Sequence, residues 1–265
     1  MNGWGIFRQT LRDSRRAALA IGIGGALLAI MVTAFYPLFK NFKEINQLLE
    51  NPFISALVGK VGDYTTPQGF LGSEFFGFMP LFLAFYTVVV GLWIASSDEE
   101  SGCLDVLLST PTPRWQVIVQ RLLAYGVVYV IILALMLAGF AVIVPLMPDL
   151  GLPFYRLAEG MLNLLPMMLL PTALTLLLST LLRGRNTAAG VAGAIVVGSW
   201  FANALADLAP TALKGMQQLS MFYYYDSFDT LNSGLNVGSF VLLMALAIVL
   251  AGLSLVTFQR RDLMA

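Results

Sequence analysis

Few residues in this sequence could do chemistry, and the densest group of them lies in one segment, residues 98–115, which we call the acidic segment. It begins with three consecutive carboxylates and a glycine, continues with a leucine-rich stretch and ends at two prolines that stop a helix. The leucines fall on one helical face, and the carboxylates lie at the N-terminus, where negative charge is favourable. An apolar ridge with acidic flanks suits docking to a partner, and packing against the chain's own helices is the alternative. The group comprises Asp98, Glu99, Glu100, Gly102, Leu104, Asp105, Leu107, Leu108, Pro111 and Arg114.

Residue types that catalysis commonly needs are missing. The sequence has no histidine, which excludes Ser-His hydrolases, histidine-ligated haem and the His-Glu-x-x-His metalloproteases. Cys103 is the single cysteine, which excludes an internal disulfide framework and a cysteine metal cluster. Gly59-Lys60 lacks the remainder of a P-loop, and no Gly-x-Ser-x-Gly occurs. We therefore predict no catalytic residues, metal or cofactor in this chain.

The composition predicts a membrane protein. Of the 265 residues, 58% are hydrophobic and 11% are charged, and the formal net charge of zero gives no basic excess suited to nucleic acid. Six runs of 21 to 30 residues contain no charge at all, and a bilayer core of about 30 Å needs roughly 20 apolar residues in a helix. The expected fold is all-α, a single transmembrane domain of six helices. The predicted spans are about 17–39, 75–97, 122–147, 160–182, 187–207 and 237–258.

Basic residues predict the orientation of these spans. With both termini in the cytoplasm, most of the 15 basic residues fall inside, as the positive-inside rule favours. The inside set is Arg8, Arg12, Arg15, Arg16, Arg114, Arg121, Arg183, Arg185, Arg260 and Arg261, and the outside set is Lys40, Lys43, Lys60, Arg156 and Lys214.

Residues 2–16 have the pattern of a short amphipathic helix. Apolar side chains recur at helical spacing beside a basic face, which is typical of a helix lying on the cytoplasmic leaflet. We expect this helix to lead into the first span through an elbow; an anchoring tail that only sets the topology is the alternative. The residues concerned are Trp4, Phe7, Arg8, Leu11 and Arg12.

Two spans carry further patterns. In the fifth span, small residues repeat every four positions and form a smooth ridge, which suits a seam with another chain or ordinary packing within this one. Aromatic residues crowd the outer half of the second span. Of the outer segments, 40–74 is expected to hold an interfacial helix, while the aromatic-rich 208–229 is either a re-entrant element or an interface belt. The ridge comprises Gly190, Ala194, Gly198 and Ala202, and the aromatic group includes Phe82, Phe85 and Tyr86.

The six spans, the N-terminal amphipathic helix and the acidic segment together resemble the permease subunits of type 2 ABC exporters. The resemblance is sharpest from Asp98 to Arg121, and Ser101 and Cys103 depart from the family pattern. The residues that match it are Glu99, Glu100, Gly102, Leu104, Asp105, Leu107, Leu108, Pro111 and Arg114. It implies a second permease, identical or related, and separate cytoplasmic ATPase subunits that bind ATP and Mg. The helix around Leu104 to Ser109 would be the coupling helix in a groove of the ATPase, and the path between permeases would be lined chiefly by the second and fifth spans.

The spans lack fixed charge, which favours an amphipathic or lipophilic substrate over an inorganic ion. The competing functions are a stand-alone secondary carrier and a non-transporting membrane assembly factor. A carrier normally places ionisable residues within its spans, and the six charge-free runs have none.

Overall fold

The computed structural model describes residues 4–39, 63–100, 114–182, 184–206 and 215–260, and this part of the chain is helical with no strand. The predicted all-α class is confirmed. The helices are α1 (Gly5–Phe39), α2 (Pro67–Glu74), α3 (Met79–Glu100), α4 (Arg114–Ile143), α5 (Phe154–Leu181), α6 (Arg185–Ala206), α7 (Met221–Tyr225), α8 (Ser227–Ser233) and α9 (Val237–Arg260), with 3₁₀ turns at Val144–Leu146 and Pro148–Leu150.

Six helices are long and apolar enough to cross a membrane, as the charge-free runs predict. α5 lies at the centre of the bundle and contacts α3, α4, α6 and α9. α1 packs on α4 along one side, and α6 lies at another side against α3 and α5. The start of α1, the end of α3 and the start of α4 meet at one end of the bundle, which we call the acidic end; α2, α7 and α8 lie at the opposite, short-helix end.

The expected elbow is not confirmed, because α1 is a single helix from Gly5 to Phe39 over 35 residues. No proline interrupts it before Pro37, and its buried side continues through Thr10, Ser14 and Ala18 into the apolar run. The structure therefore does not confirm a separate helix on the leaflet. The N-terminal residues form the first turns of α1 and pack against α4.

Glycine residues, which have no side chain, let α1 and α4 approach closely. A Cβ atom added at Gly139 of α4 would lie 2.5 Å from the backbone oxygen of Ala26, and one at Gly22 of α1 would lie 2.6 Å from the Leu135 side chain. Ala18, Gly22 and Ala26, which repeat every four residues in the first span, thus form a packing surface within the chain.

The second span is interrupted near the short-helix end. α2 begins at Pro67, where the Thr66 hydroxyl caps the helix by accepting from the Gly69 N–H, and it ends before four turn residues that precede α3. Pro80 lacks an N–H and cannot donate to the carbonyl of Phe76 four residues earlier. A Cβ at Gly77 would lie 2.5 Å from the Ser73 carbonyl oxygen, so the turn depends on a glycine there.

Candidate functional site

The acidic segment connects two long helices at the acidic end. Asp98, Glu99 and Glu100 lie in the last turn of α3, and Arg114 is the first residue of α4. Residues 101–113 lie outside the described residues. The predicted coupling helix, with Gly102, Leu104, Asp105, Leu107, Leu108 and Pro111, therefore stays a prediction.

Arg121 joins the two helices that bracket the acidic segment. It is 9% exposed, and its Nη1 donates to the carbonyl oxygen of Ile94 in α3 at 3.2 Å. Its guanidinium also stacks over the ring of Trp93, 5.5 Å from the ring centroid. A buried guanidinium is stable only where such partners replace water, so this residue holds the end of α3 against α4.

Gln120, the neighbouring residue, holds the start of α1. The N–H of Phe7, in the first turn of α1, donates to Gln120 Oε1 at 3.2 Å. The first N–H groups of a helix have no partner within it, so Gln120 satisfies one of them from another helix. One turn further along α4, the buried Tyr125 lies beside Ser14 of α1, and its ring packs against Trp93 at 6.1 Å. The first turns of α1 and the last turns of α3 are thereby attached to the same stretch of α4.

Two of the three aromatic residues predicted to line a path point away from the bundle. Phe82 is 66% exposed and Phe85 is 55% exposed on α3. Tyr86 instead turns inward, where its ring lies 6.3 Å from that of Tyr129 in α4. Of the three, only Phe82 and Phe85 therefore form an outward aromatic face on α3.

The ridge of α6 also faces outward. Gly190, Ala194 and Gly198 are exposed, and added Cβ atoms at the two glycines would meet nothing within 4 Å. The side of α6 that packs into the bundle carries Ala188 and Ala192 instead. Ala202, at the end of the ridge, is half-buried. Within the residues that the structure describes, nothing packs on the three exposed members of the ridge, and both interpretations of the ridge stay open.

α7 and α8 fold back onto the bundle at the short-helix end. Phe222, Tyr225 and Leu231 are buried, and the pair contacts α2, α5, α6 and α9. Ser220 caps α7 and donates to the Ser199 carbonyl oxygen of α6 at 2.7 Å. This part of the aromatic-rich outer segment is packed into the protein, whereas residues 207–214 lie outside the described residues.

Side chains of this helix pair satisfy the carbonyls left free by the break in span 2. Tyr225 Oη donates to the Phe76 carbonyl oxygen at 3.0 Å, and Ser227 Oγ donates to that of Gly72 at 3.1 Å. Burial, followed by the charge of Asp226, raises the pKa of Tyr225, so its hydroxyl stays protonated and can donate. Asn163 Nδ2 in α5 donates in turn to the Tyr225 carbonyl oxygen and to Thr230 Oγ1.

Comparison with known proteins gives the family. A family model described as ABC-2 family transporter protein matches residues 4–263. The chain belongs to the ABC-2 transporter family. No curated protein matches the sequence. Family membership and the six apolar helices make this ABC-2 protein a multi-pass membrane protein.

Sequence reasoning missed several residues that organise this ABC-2 protein. Arg121 was assigned only to the cytoplasmic basic residues, and Gln120, Asn163 and Tyr225 were given no specific role. Asn163 is an amide within a charge-free run, which is a signal for a buried hydrogen-bond partner. Pro80 gave a second signal, since a proline early in a span leaves a carbonyl without its usual donor.

The described part of this ABC-2 protein contains no group of three His, Cys, Asp or Glu residues placed to hold a metal ion. Within the described residues, an ion pair at the start of α5 joins Arg156 Nη1 to Glu159 Oε2 at 2.9 Å. This pair lies against the backbone of Gly234. Gly234 has φ +108 and no room for a side chain, so this turn also depends on glycine.

Proposed function

We propose that this ABC-2 family chain is the permease subunit of an ATP-driven exporter in the cytoplasmic membrane. Family membership supports the transport role. The observation that carries the proposal further is the α6 ridge, whose small residues face away from the chain's own bundle. Small residues allow close helix approach, which suits contact with a second permease.

The substrate path is proposed to lie between the two permeases. α3 and α6 pack on each other, and both present outward faces, the first with Phe82 and Phe85 and the second with the ridge. Aromatic and small apolar side chains without fixed charge suit an amphipathic or lipophilic molecule.

Energy is proposed to come from ATPase subunits that hold ATP and Mg and dock on the acidic segment from the cytoplasm. The chain has no P-loop, so nucleotide must bind another polypeptide. Closure of the ATPases on ATP would move the acidic segment and, through α3 and α4, open the path outward. By linkage, substrate and nucleotide then influence each other's binding.

Replacing Leu107 and Leu108 together by Asp tests this function. We expect the double variant to insert into the membrane but lose co-purification of the ATPase subunits, because two charges would enter an apolar contact. The measurement is the amount of ATPase recovered with affinity-tagged permease. Ser109→Asp is the matched control, since it adds a charge to the same segment at a position that the predicted helix would place on the side opposite the leucines.

Undiminished recovery of ATPase with the double variant would refute docking through this face. A second readout uses Cys103, the single cysteine. Its reaction with a maleimide should be fast in the permease alone and slow in the complex with ATPase, and equal rates would also count against docking there.

A further inference from the structure

The start of α1 extends beyond the membrane. At the helical rise, its 35 residues span about 52 Å, whereas a bilayer core is about 30 Å thick. The charge-free run begins at residue 17, so residues 5–16 continue for about 18 Å past the apolar part of the span. Twelve helical residues on their own are marginally stable in water, and this extension needs a support.

α4 supplies that support through residues next to the acidic segment. Gln120 accepts the Phe7 N–H, and the buried Thr10 and Ser14 continue the same side of α1. Arg121 binds the end of α3 at the same level through the Ile94 carbonyl and the Trp93 ring. Gln120 and Arg121, which are adjacent in α4, therefore contact α1 and α3, respectively. Both contacts lie within a few helical turns of the ends of the acidic segment.

We infer that Gln120 and Arg121 form a clamp that makes the start of α1 move with the acidic segment. The inference rests on the proposed function, because the motion is the one that the ATPase would impart. α3 and α4 are already joined to the segment through the chain, whereas α1 is joined to it only through contacts across the bundle. Both residues are positioning residues: they carry motion to span 1 and touch neither substrate nor nucleotide.

The clamp has two parts with different chemistry. Gln120 provides an acceptor at the positive N-terminus of α1, where a carboxylate would serve as well or better. Arg121 provides a planar cation that stacks on Trp93 while its N–H reaches a carbonyl, which a lysine reproduces only in part. Conservative substitutions at the two sites should therefore behave differently.

Hydrogen–deuterium exchange of the intact permease–ATPase complex tests the clamp, with and without ADP and vanadate to trap the ATPase. In the wild type, peptides covering residues 4–16 and 98–113 should both change their exchange on trapping. In Gln120→Leu, residues 4–16 should exchange roughly threefold to tenfold faster, as expected for one lost hydrogen bond, and should no longer respond to trapping, while residues 98–113 still respond. Gln120→Glu should restore the response, and Leu123→Ala, an exposed position on α4, should leave both peptides as in the wild type.

The outcomes separate the two proposals. If the wild-type residues 98–113 show no response to trapping, the proposed function fails. If they respond and residues 4–16 of Gln120→Leu respond as strongly as in the wild type, Gln120 only stabilises the fold and the clamp is refuted. Should Gln120→Leu fail to assemble, Gln120→Met gives the same decision, because it keeps the length of the side chain and removes the oxygen that accepts from Phe7. A lost response in residues 4–16 with normal ATPase recovery supports the clamp, and an unchanged response overturns it.

Discussion

At the scale of single residues, polar side chains in this apolar bundle act as partners for backbone groups that the helices leave free. Tyr225 donates to the carbonyl that Pro80 cannot serve, and Asn163 donates to the carbonyl of Tyr225 itself. In a membrane, an unpartnered carbonyl cannot turn to water. The positions of Tyr225 and Asn163 therefore follow from backbone groups that are left free elsewhere in the chain.

Replacing Tyr225 by Phe should lower the midpoint of thermal unfolding of the purified protein in detergent. The change keeps the ring and removes the donor, which leaves the Phe76 carbonyl unpartnered at a cost of about 1–3 kcal/mol. Tyr223→Phe is the matched control on the same short helix, because Tyr223 is 37% exposed. Equal midpoints for the two variants would show that the hydrogen bond does not stabilise the fold.

At the scale of helices, packing replaces the hydrophobic effect as the source of specificity. Lipid tails are as apolar as leucine, so α1 and α4 gain from close approach, which glycine permits. Gly139 lies against the backbone of Ala26, whereas Gly126 on the same helix faces open space.

Gly139→Ala should therefore destabilise the protein, by about 1–3 kcal/mol, because the added methyl group meets backbone that cannot yield easily. Gly126→Ala should be neutral or slightly stabilising, since alanine favours the helix. Unfolding of both variants in detergent at increasing temperature measures the difference. A Gly139→Ala protein as stable as Gly126→Ala would mean that α1 and α4 lie further apart than in the structure.

At the scale of the whole molecule, the bundle is asymmetric. α5 is surrounded by other helices, whereas α1, α6, α9 and the outer half of α3 leave part of their surfaces uncovered. Among these faces, the ridge of α6 and the Phe82 and Phe85 face of α3 combine small residues with aromatic ones and carry no charge. A second permease is the partner that the proposed function requires there.

Cysteine placed at Gly198 in a Cys103→Ser background should form a disulfide between two permeases in the membrane. Ala192→Cys is the control on the same helix, because Ala192 is fully buried against its own bundle. Non-reducing electrophoresis after mild oxidation detects the linked pair. If cysteines at Gly190, Ala194 and Gly198 form no more disulfide than the cysteine at Ala192, the ridge faces lipid, and the seam lies elsewhere.

Much of the fold could be predicted from the sequence because the bilayer imposes a length and a polarity on each span. Charge-free runs predicted the six helices, and the small-residue spacing in span 1 predicted a packing surface. The partner of such a surface could not be predicted, because spacing shows which face is smooth and not which helix it meets. The small residues of span 1 meet α4, whereas the ridge of span 5 meets no helix among the described residues.

The sequence by itself determined the membrane class, the number of spans and the absence of a nucleotide-binding loop, because these depend on composition and local pattern. Only the tertiary structure decided that α1 begins at Gly5 as part of one long helix, since its start is held by Gln120 from 113 residues away in the chain. It also decided that the ridge of α6 faces outward and that Tyr225 donates to the free carbonyl of Phe76 in span 2. Contacts between distant residues fix these features, and no local pattern records which residues will meet.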